Sequence, residues 1–148
     1  MKKTLFFAIA LAASVLAFVS CDKKDKKSDE PTIDSQIVGT WSIIEEDMDY
    51  FITFDGKGNY TYINDYYMYG REVAPHEHVV IKGSFTVDGD IITVHNDSET
   101  ISMDGGPAEE IEWEPYDEQM KYSIKGNTLI LIRDYGTPYA YEEEWTKQ

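Results

Sequence analysis

The chain has little cysteine and few basic residues. Its 148 residues include a single cysteine, which excludes an internal disulfide framework. Only 13 lysines and arginines stand against 28 aspartates and glutamates, for a formal net charge of −15. Because phosphate backbones attract basic surfaces, this acidity argues against a nucleic-acid partner. It equally disfavours docking of the folded part on an anionic membrane surface.

The motifs of common catalytic sites are also missing. The sequence has no Gly-x-Ser-x-Gly nucleophile elbow and no glycine-rich phosphate loop. Two acidic runs, at 109–112 and 142–144, offer carboxylate pairs of the kind that glycoside hydrolysis needs, but a solvated acidic face explains them more simply. We therefore predict that the protein is not an enzyme and has no cofactor.

Histidine, the commonest metal ligand, occurs only three times. His76 and His78 are two residues apart, so on a strand their side chains share one face and could share a metal ion. The spacing identifies no third ligand, since His95 is distant in the sequence. The glycine-rich run at 55–59 lacks the regular acidic spacing of a calcium loop. We predict no metal site.

The N-terminal segment has the layout of a secretory signal peptide. A basic start at 1–3 is followed by an uncharged, mainly apolar run at 4–19 that is short for a membrane span. The run Ala-Phe-Val-Ser-Cys at 17–21 resembles a bacterial lipobox, in which the cysteine is acylated and becomes the new N-terminus. The resemblance implies a signal peptide over 1–20 and a lipid such as palmitate on Cys21.

The segment that follows Cys21 is rich in lysine and aspartate and has no strongly apolar residue before Pro31. Such a composition cannot bury enough surface to order itself, which predicts a flexible charged linker over 21–36. The folded domain is then expected over 37–148, with the membrane as a partner through the lipid anchor. We expect an outer membrane lipoprotein of the cell envelope, at the periplasmic face or on the cell surface.

Apolar residues alternate with period two along the rest of the chain, and helical periodicity is nowhere sustained. The clearest alternation runs over 79–87, with Phe85 and Val87 on one face and Ser84 and Thr86 on the other. The pattern predicts an all-β barrel or sandwich of eight or nine short antiparallel strands, with no large helix. Glycine-containing turns separate several of these strands, at 55–59, 88–90 and 125–127.

Short motifs in the predicted strands occur in an order similar to that of lipocalins. Gly39-Thr40-Trp41 resembles the Gly-x-Trp element of that family. The runs Phe54–Gly58, Gly83–Val87 and Asn127–Leu129 resemble later elements of the short lipocalin-like domains found on bacterial lipoproteins. The resemblance covers about 37–145 and implies an up-and-down barrel.

Gly39 and Trp41 have a structural role in such a barrel. The large indole fills the taper at one end, while the neighbouring glycine lets another backbone approach. The resemblance further implies that a basic side chain from late in the chain covers the tryptophan. Both Lys147 and Arg133 are candidates for that position.

Tyrosine is abundant, with eleven residues. Two long loops are predicted, over 65–78 and 96–107, and the first contains a run of aromatic and thioether side chains. Tyrosine combines apolar area with a polar group, which suits ligand pockets. The candidate binding residues are Tyr66, Tyr67, Met68 and Tyr69.

We predict from these features a lipocalin-like barrel that binds a small apolar or amphipathic ligand, with the tyrosine loop at its entrance. The alternative is a non-catalytic structural or interaction module of the envelope. In that case the barrel is filled by side chains and its acidic exterior contacts an envelope protein.

Overall fold

A computed structural model gives the fold, and residues 33–148 are the part of the chain that it describes. Within them, antiparallel strands form one sheet that closes into a barrel in the order β1-β2-β3-β4-β5-β7-β8-β9, while β6 pairs with β5 outside that ring. This confirms the predicted all-β antiparallel barrel of eight to nine strands. The bounds are β1 Gly39–Ile44, β2 Met48–Phe54, β3 Asn59–Tyr67, β4 His76–Asp88, β5 Ile91–Met103, β6 Glu109–Ile111, β7 Tyr116–Lys125, β8 Thr128–Arg133 and β9 Tyr141–Lys147.

The two ends of the barrel differ. Tight turns at 55–58, 89–90 and 126–127 connect neighbouring strands at one end, which we call the closed end. Because successive strands are antiparallel, the other connections lie at the opposite end, which we call the open end. Three of these, at 68–75, at 104–115 (which includes β6) and at 134–140, are clearly longer than the turns. The long connections therefore surround one mouth of the barrel.

The alternation along each strand places apolar side chains in the interior. Ile52 and Phe54 on β2 are fully buried, and the Phe54 ring meets that of Phe85 edge-on with 4.9 Å between centroids. The buried cluster occupies the half of the barrel nearer the closed end. Its members are Ile37, Trp41, Ile52, Phe54, Tyr60, Phe85, Ile92, Val94, Met120, Leu129, Leu131 and Trp145.

Trp41 is fully buried in this cluster, next to the closed end. Its indole Nε1 donates a hydrogen bond to the carbonyl oxygen of Ile37 at 2.8 Å. The Lys147 Nζ lies 4.9 Å from the centroid of the Trp41 ring, within the range of a cation–π contact. An alanine Cβ at Gly39 would lie only 3.0 Å from the Lys147 Cε. Lys147, and not Arg133, therefore covers the tryptophan, and Gly39 leaves room for it.

Residues 33–36 pack against the closed end. Ile33 contacts the buried cluster, and the Asp34 carboxylate accepts a hydrogen bond from the Tyr122 hydroxyl at 3.1 Å. Burial, and then this hydrogen bond, raise the pKa of Tyr122 to about 12. Ile33 and Asp34, which belong to the predicted linker, are thus in contact with the barrel.

The other predictions for the N-terminal segment fall outside the described residues. These are the signal peptide over 1–20, the lipid on Cys21 and most of the linker over 21–36, and all of them stay predictions. No helix within 33–148 is long and apolar enough to span a membrane.

The prediction of long loops at 65–78 and 96–107 is wrong over much of the two ranges. β3 continues to Tyr67, and β5 extends to Met103, so much of the predicted loop sequence is strand. The second half of β5 has polar residues on both faces, which hides the alternation. Its backbone is nevertheless paired on both sides, with β4 and with β6.

A β-bulge interrupts the pairing of β4 with β5. Lys82 pairs with Ser98 whereas Gly83 pairs with Asn96, so Asp97 is the extra residue. The two backbones approach so closely here that a Cβ on Gly83 would lie 1.8 Å from the His95 carbonyl oxygen. Only glycine leaves space for β5 at this point.

Candidate ligand-binding cavity

A cavity of about 630 Å³ occupies the barrel toward the open end. This volume lies within the range of about 300–1,000 Å³ that is common for small-molecule sites. Tyr60 and Trp145 are almost fully buried and form its deep part, where it meets the packed cluster. Tyr116 and Tyr141 line it as well and are partly exposed, which places the mouth beside them.

The wall of the barrel is incomplete beside this cavity. β1 and β9 pair only through Trp41 with Lys147 and Ser42 with Thr146. Beyond these pairs, toward the open end, no ladder joins the two strands. The cavity lining includes Ile43 from β1 on one side of the seam and 141–145 from β9 on the other. The cavity therefore reaches solvent beside this seam as well as at the open end.

Three aromatic rings in the cavity form a cluster. The ring centroids of Tyr50, Tyr62 and Trp145 are 6.4 to 6.5 Å apart in each of the three pairs. Burial raises the pKa of Tyr62 to about 12, so its hydroxyl stays protonated at neutral pH. The three residues come from β2, β3 and β9, and the barrel brings them together because each has an inward position on its strand.

An ion-pair network forms part of the cavity lining. The Arg133 Nη1 donates to the Glu118 carboxylate at 2.6 Å, and its Nε donates to the Glu143 carboxylate at 2.9 Å. The Trp145 Nε1 also donates to Glu143, at 3.1 Å. Although burial lowers the pKa of Arg133, the two carboxylates raise it above its ordinary value, so the guanidinium stays charged. Two negative charges therefore surround one positive charge.

Asn96 is a buried polar residue in the lining. It is only 2% exposed, and its side-chain oxygen has no hydrogen-bond partner. A buried acceptor without a partner costs on the order of 1–3 kcal/mol. Such groups are rare in folded proteins and call for a specific explanation. The oxygen has almost no accessible surface, so a donor in the cavity could reach it only if the amide group turned.

The predicted binding residues Tyr66, Tyr67, Met68 and Tyr69 lie at the open end, where β3 leads into the connection to β4. None of them lines the 630 Å³ cavity. Tyr69 is 70% exposed, and Met68 is half-buried. Their role in ligand binding stays a prediction, and they occupy the same end of the barrel as the mouth.

Tyr67 takes part in a separate polar network. Its hydroxyl donates to the Asp49 carboxylate at 3.0 Å, and its ring lies under the Arg71 guanidinium with 4.6 Å to the centroid. Arg71 binds both carboxylate oxygens of Asp49 at 2.6 Å and also donates to the Glu45 carbonyl oxygen. These contacts fasten the β3–β4 connection to β2 and to the end of β1.

The Arg71 hydrogen bonds lower the pKa of Asp49 below its ordinary value of 3.8, against the opposing effect of burial. Because the pKa of Asp49 is lower in the folded state, its ionisation stabilises the fold above pH 3.8. This stability is lost as the pH falls through the pKa that Asp49 has in the folded state. We expect Asp49→Asn to cost about 1 kcal/mol at pH 7, because Arg71 is partly exposed. Urea unfolding at about pH 7 and about pH 2.5 should show this cost shrinking in acid.

Asp47→Asn is the matched control for this measurement, because Asp47 is exposed on the neighbouring turn. It should change the free energy of unfolding little at either pH. An Asp49→Asn cost that is equal at the two pH values would contradict the assigned ion pair.

Two of the three histidines, His78 and His95, have carboxylate partners rather than one another. His78 Nδ1 pairs with the Asp65 carboxylate at 2.5 Å. The ring of His76 packs edge-on against Tyr67. A hydrogen bond to the Asp117 carboxylate raises the pKa of His95 above its ordinary value of 6.5. No group of three or more metal-ligating side chains within 33–148 is arranged to bind a metal ion.

The polar residues of the cavity are not among the binding residues predicted from the sequence. Glu118, Arg133 and Glu143 are each two residues from a buried apolar residue on the same strand: Met120, Leu131 and Trp145. In a strand that spacing places both side chains on one face. The sequence signal that could have located this site is therefore a charged residue two positions away from an inward apolar residue on the same strand.

The chain was compared with known proteins in three ways. It matches no protein-family model, no curated protein and no solved structure. The resemblance to lipocalin-like domains of lipoproteins therefore stays a prediction that rests on the motifs quoted above. The barrel is shown independently by the strand pairings.

Proposed function

We propose that this protein is a non-catalytic, lipid-anchored lipoprotein of the cell envelope whose barrel binds a small amphipathic ligand. The observation that carries the binding function is the 630 Å³ cavity, lined by aromatic rings and by a few buried polar groups. Small-molecule sites commonly combine an apolar surface with a small number of positioned polar groups. The anchoring is proposed from the lipobox-like run that ends at Cys21.

The lining narrows the class of ligand. Glu118, Arg133 and Glu143 lie beside the aromatic rings, so a purely apolar molecule would leave charged groups facing apolar surface, at a cost in desolvation. An amphipathic molecule can place its apolar part against the Tyr50, Tyr62 and Trp145 rings and its polar part beside the charges. Of the two ligand classes that the sequence predicts, the amphipathic one fits this cavity.

Binding of Nile red, a neutral fluorescent dye, tests the cavity in the full chain with Cys21→Ser, which cannot be lipidated. We expect saturable binding that Tyr141→Ala weakens about fivefold, since loss of an aromatic contact costs about 1 kcal/mol. Tyr139→Ala is the matched control, because Tyr139 is 82% exposed and does not line the cavity. It should leave the affinity within about twofold.

Tyr69→Ala belongs in the same series, because it tests whether the exposed tyrosine loop takes part in entry. The absence of any saturable dye binding by the Cys21→Ser chain would contradict the binding function. That result would favour the second candidate, a structural module of the envelope. The packed half of the barrel around Trp41 and Phe54 is the observation that favours this second candidate.

A further inference from the structure

We propose that the ligand of this cavity is a protonated organic amine. The inference rests on the proposed binding function and adds the charge and the hydrogen-bonding character of the ligand. Three properties of the lining carry it: its excess of carboxylates, its buried hydrogen-bond acceptor and its aromatic cluster.

The first property is charge. Five glutamates line the cavity, against the single positive charge of Arg133, which the two carboxylates of its ion-pair network already neutralise. The other three, Glu45, Glu142 and Glu144, lie beside the seam between β1 and β9. A cation that enters there gains from these charges, whereas a carboxylate or phosphate group is repelled.

The tyrosines respond to the same negative field. Burial raises the pKa of Tyr116, and the charges of Glu118 and Glu99 raise it further. Burial likewise raises the pKa of Tyr50, and Glu45 and Glu143 add to that effect. These shifts agree with a mouth whose electrostatic potential is negative.

The second property is the set of acceptors. Carboxylates only accept hydrogen bonds, and the buried side-chain oxygen of Asn96 is an acceptor without a partner. The Arg133 Nε and Nη1 donors already bond to Glu118 and Glu143. The tyrosine hydroxyls of the lining can donate as well as accept, but the carboxylates of Glu45, Glu142 and Glu144 can be paired only by a donor. An ammonium group offers up to three donors.

The third property is the aromatic cluster. The rings of Tyr50, Tyr62 and Trp145 have centroids within 6.5 Å of one another. Cations bind over tyrosine and tryptophan faces, and the attraction strengthens where water is excluded. The same rings offer apolar contact to an alkyl or aryl chain. Carboxylates, a buried acceptor and aromatic rings together match an amphipathic ammonium.

Isothermal titration calorimetry at neutral pH with ligands of one chain length tests the inference on the full Cys21→Ser chain. The ligands are decylammonium, decyltrimethylammonium, decanol and decanoate, each below its micelle concentration or, for decanol, below its solubility limit. We expect decylammonium to bind about tenfold more tightly than decanol, and decanoate to bind most weakly. Decyltrimethylammonium has the same charge but no N–H donor, and should bind several-fold more weakly than decylammonium.

Glu45→Gln removes one carboxylate of the lining, and Glu46→Gln is its matched control, because Glu46 is an exposed neighbour that does not line the cavity. Glu45→Gln should weaken decylammonium binding about threefold and leave decanol binding unchanged. Glu46→Gln should change neither affinity. Such a charge-specific loss cannot come from a general disturbance of the fold, which would affect decanol equally.

The outcomes separate this inference from the proposed function. If decanol or decanoate binds as tightly as decylammonium, the cavity binds ligands but the assignment to a cation is wrong. Equal affinity for decyltrimethylammonium and decylammonium would overturn the assignment to an amine with N–H donors. If none of the four compounds binds, the binding function itself fails.

Discussion

Replacing Gly83 with alanine is expected to lower the free energy of unfolding by about 3 kcal/mol or more, the upper end of the cost of overpacking. The new Cβ would lie 1.8 Å from the His95 carbonyl oxygen, far inside van der Waals contact. The obstacle is backbone and not a flexible side chain, so relief requires β4 and β5 to separate. Because β4–β5 pairing helps to close the barrel, the strain should affect the whole fold. Chemical denaturation monitored by far-UV circular dichroism measures the loss.

Gly56→Ala is the matched control for this prediction. Gly56 lies in the β2–β3 turn, where an added Cβ would meet nothing within 4 Å. We expect it to change the free energy of unfolding by about 0.5 kcal/mol or less. A Gly83→Ala protein as stable as the Gly56→Ala protein would show that the close approach of β5 does not exist in solution.

The second large effect is expected at Arg133. Arg133→Met should lower the free energy of unfolding by about 2–3 kcal/mol, because it leaves Glu118 and Glu143 without their shared partner in a partly buried site. The value is below that of a fully buried pair, since both carboxylates retain some contact with water. Urea unfolding at pH 7 gives the measurement.

A triple variant, Arg133→Met with Glu118→Gln and Glu143→Gln, separates the two causes of this loss. It removes the unpaired charges but keeps the same methionine, so we expect it to recover at least half of the lost stability. If the triple variant is no more stable than Arg133→Met alone, the loss comes from the packing of the arginine side chain and not from the carboxylates.

Much of the barrel was predictable because its packed half follows simple rules. Ile52 and Phe54 alternate with polar neighbours, and turns rich in glycine and asparagine mark the ends of the strands. The resemblance to lipocalins implied that a basic residue from late in the chain covers Trp41, but the choice between Lys147 and Arg133 required the structure. Local patterns were sufficient for the strands and the turns, but not for this choice.

The second half of β5 and the cavity were not predictable in the same way. The strand continues past Asp97 because β4 and β6 bind its backbone from both sides, and such pairing leaves no apolar alternation in the sequence. The cavity joins Tyr50, Tyr116 and Arg133 from separate strands, and its shape depends on how the barrel closes. The tyrosine-rich run at 66–69 is easy to notice because its residues are adjacent in the sequence. Adjacency does not show which side chains face the interior of the barrel.

The docking of residues 33–36 at the closed end has a consequence for a protein tethered through Cys21. The tether would leave the barrel beside the Asp34 contact with Tyr122, at the end opposite the cavity mouth. In an anchored molecule the acidic mouth would then lie at the end of the barrel away from the point where the tether joins it. A ligand in solution could therefore reach the mouth without passing the tether.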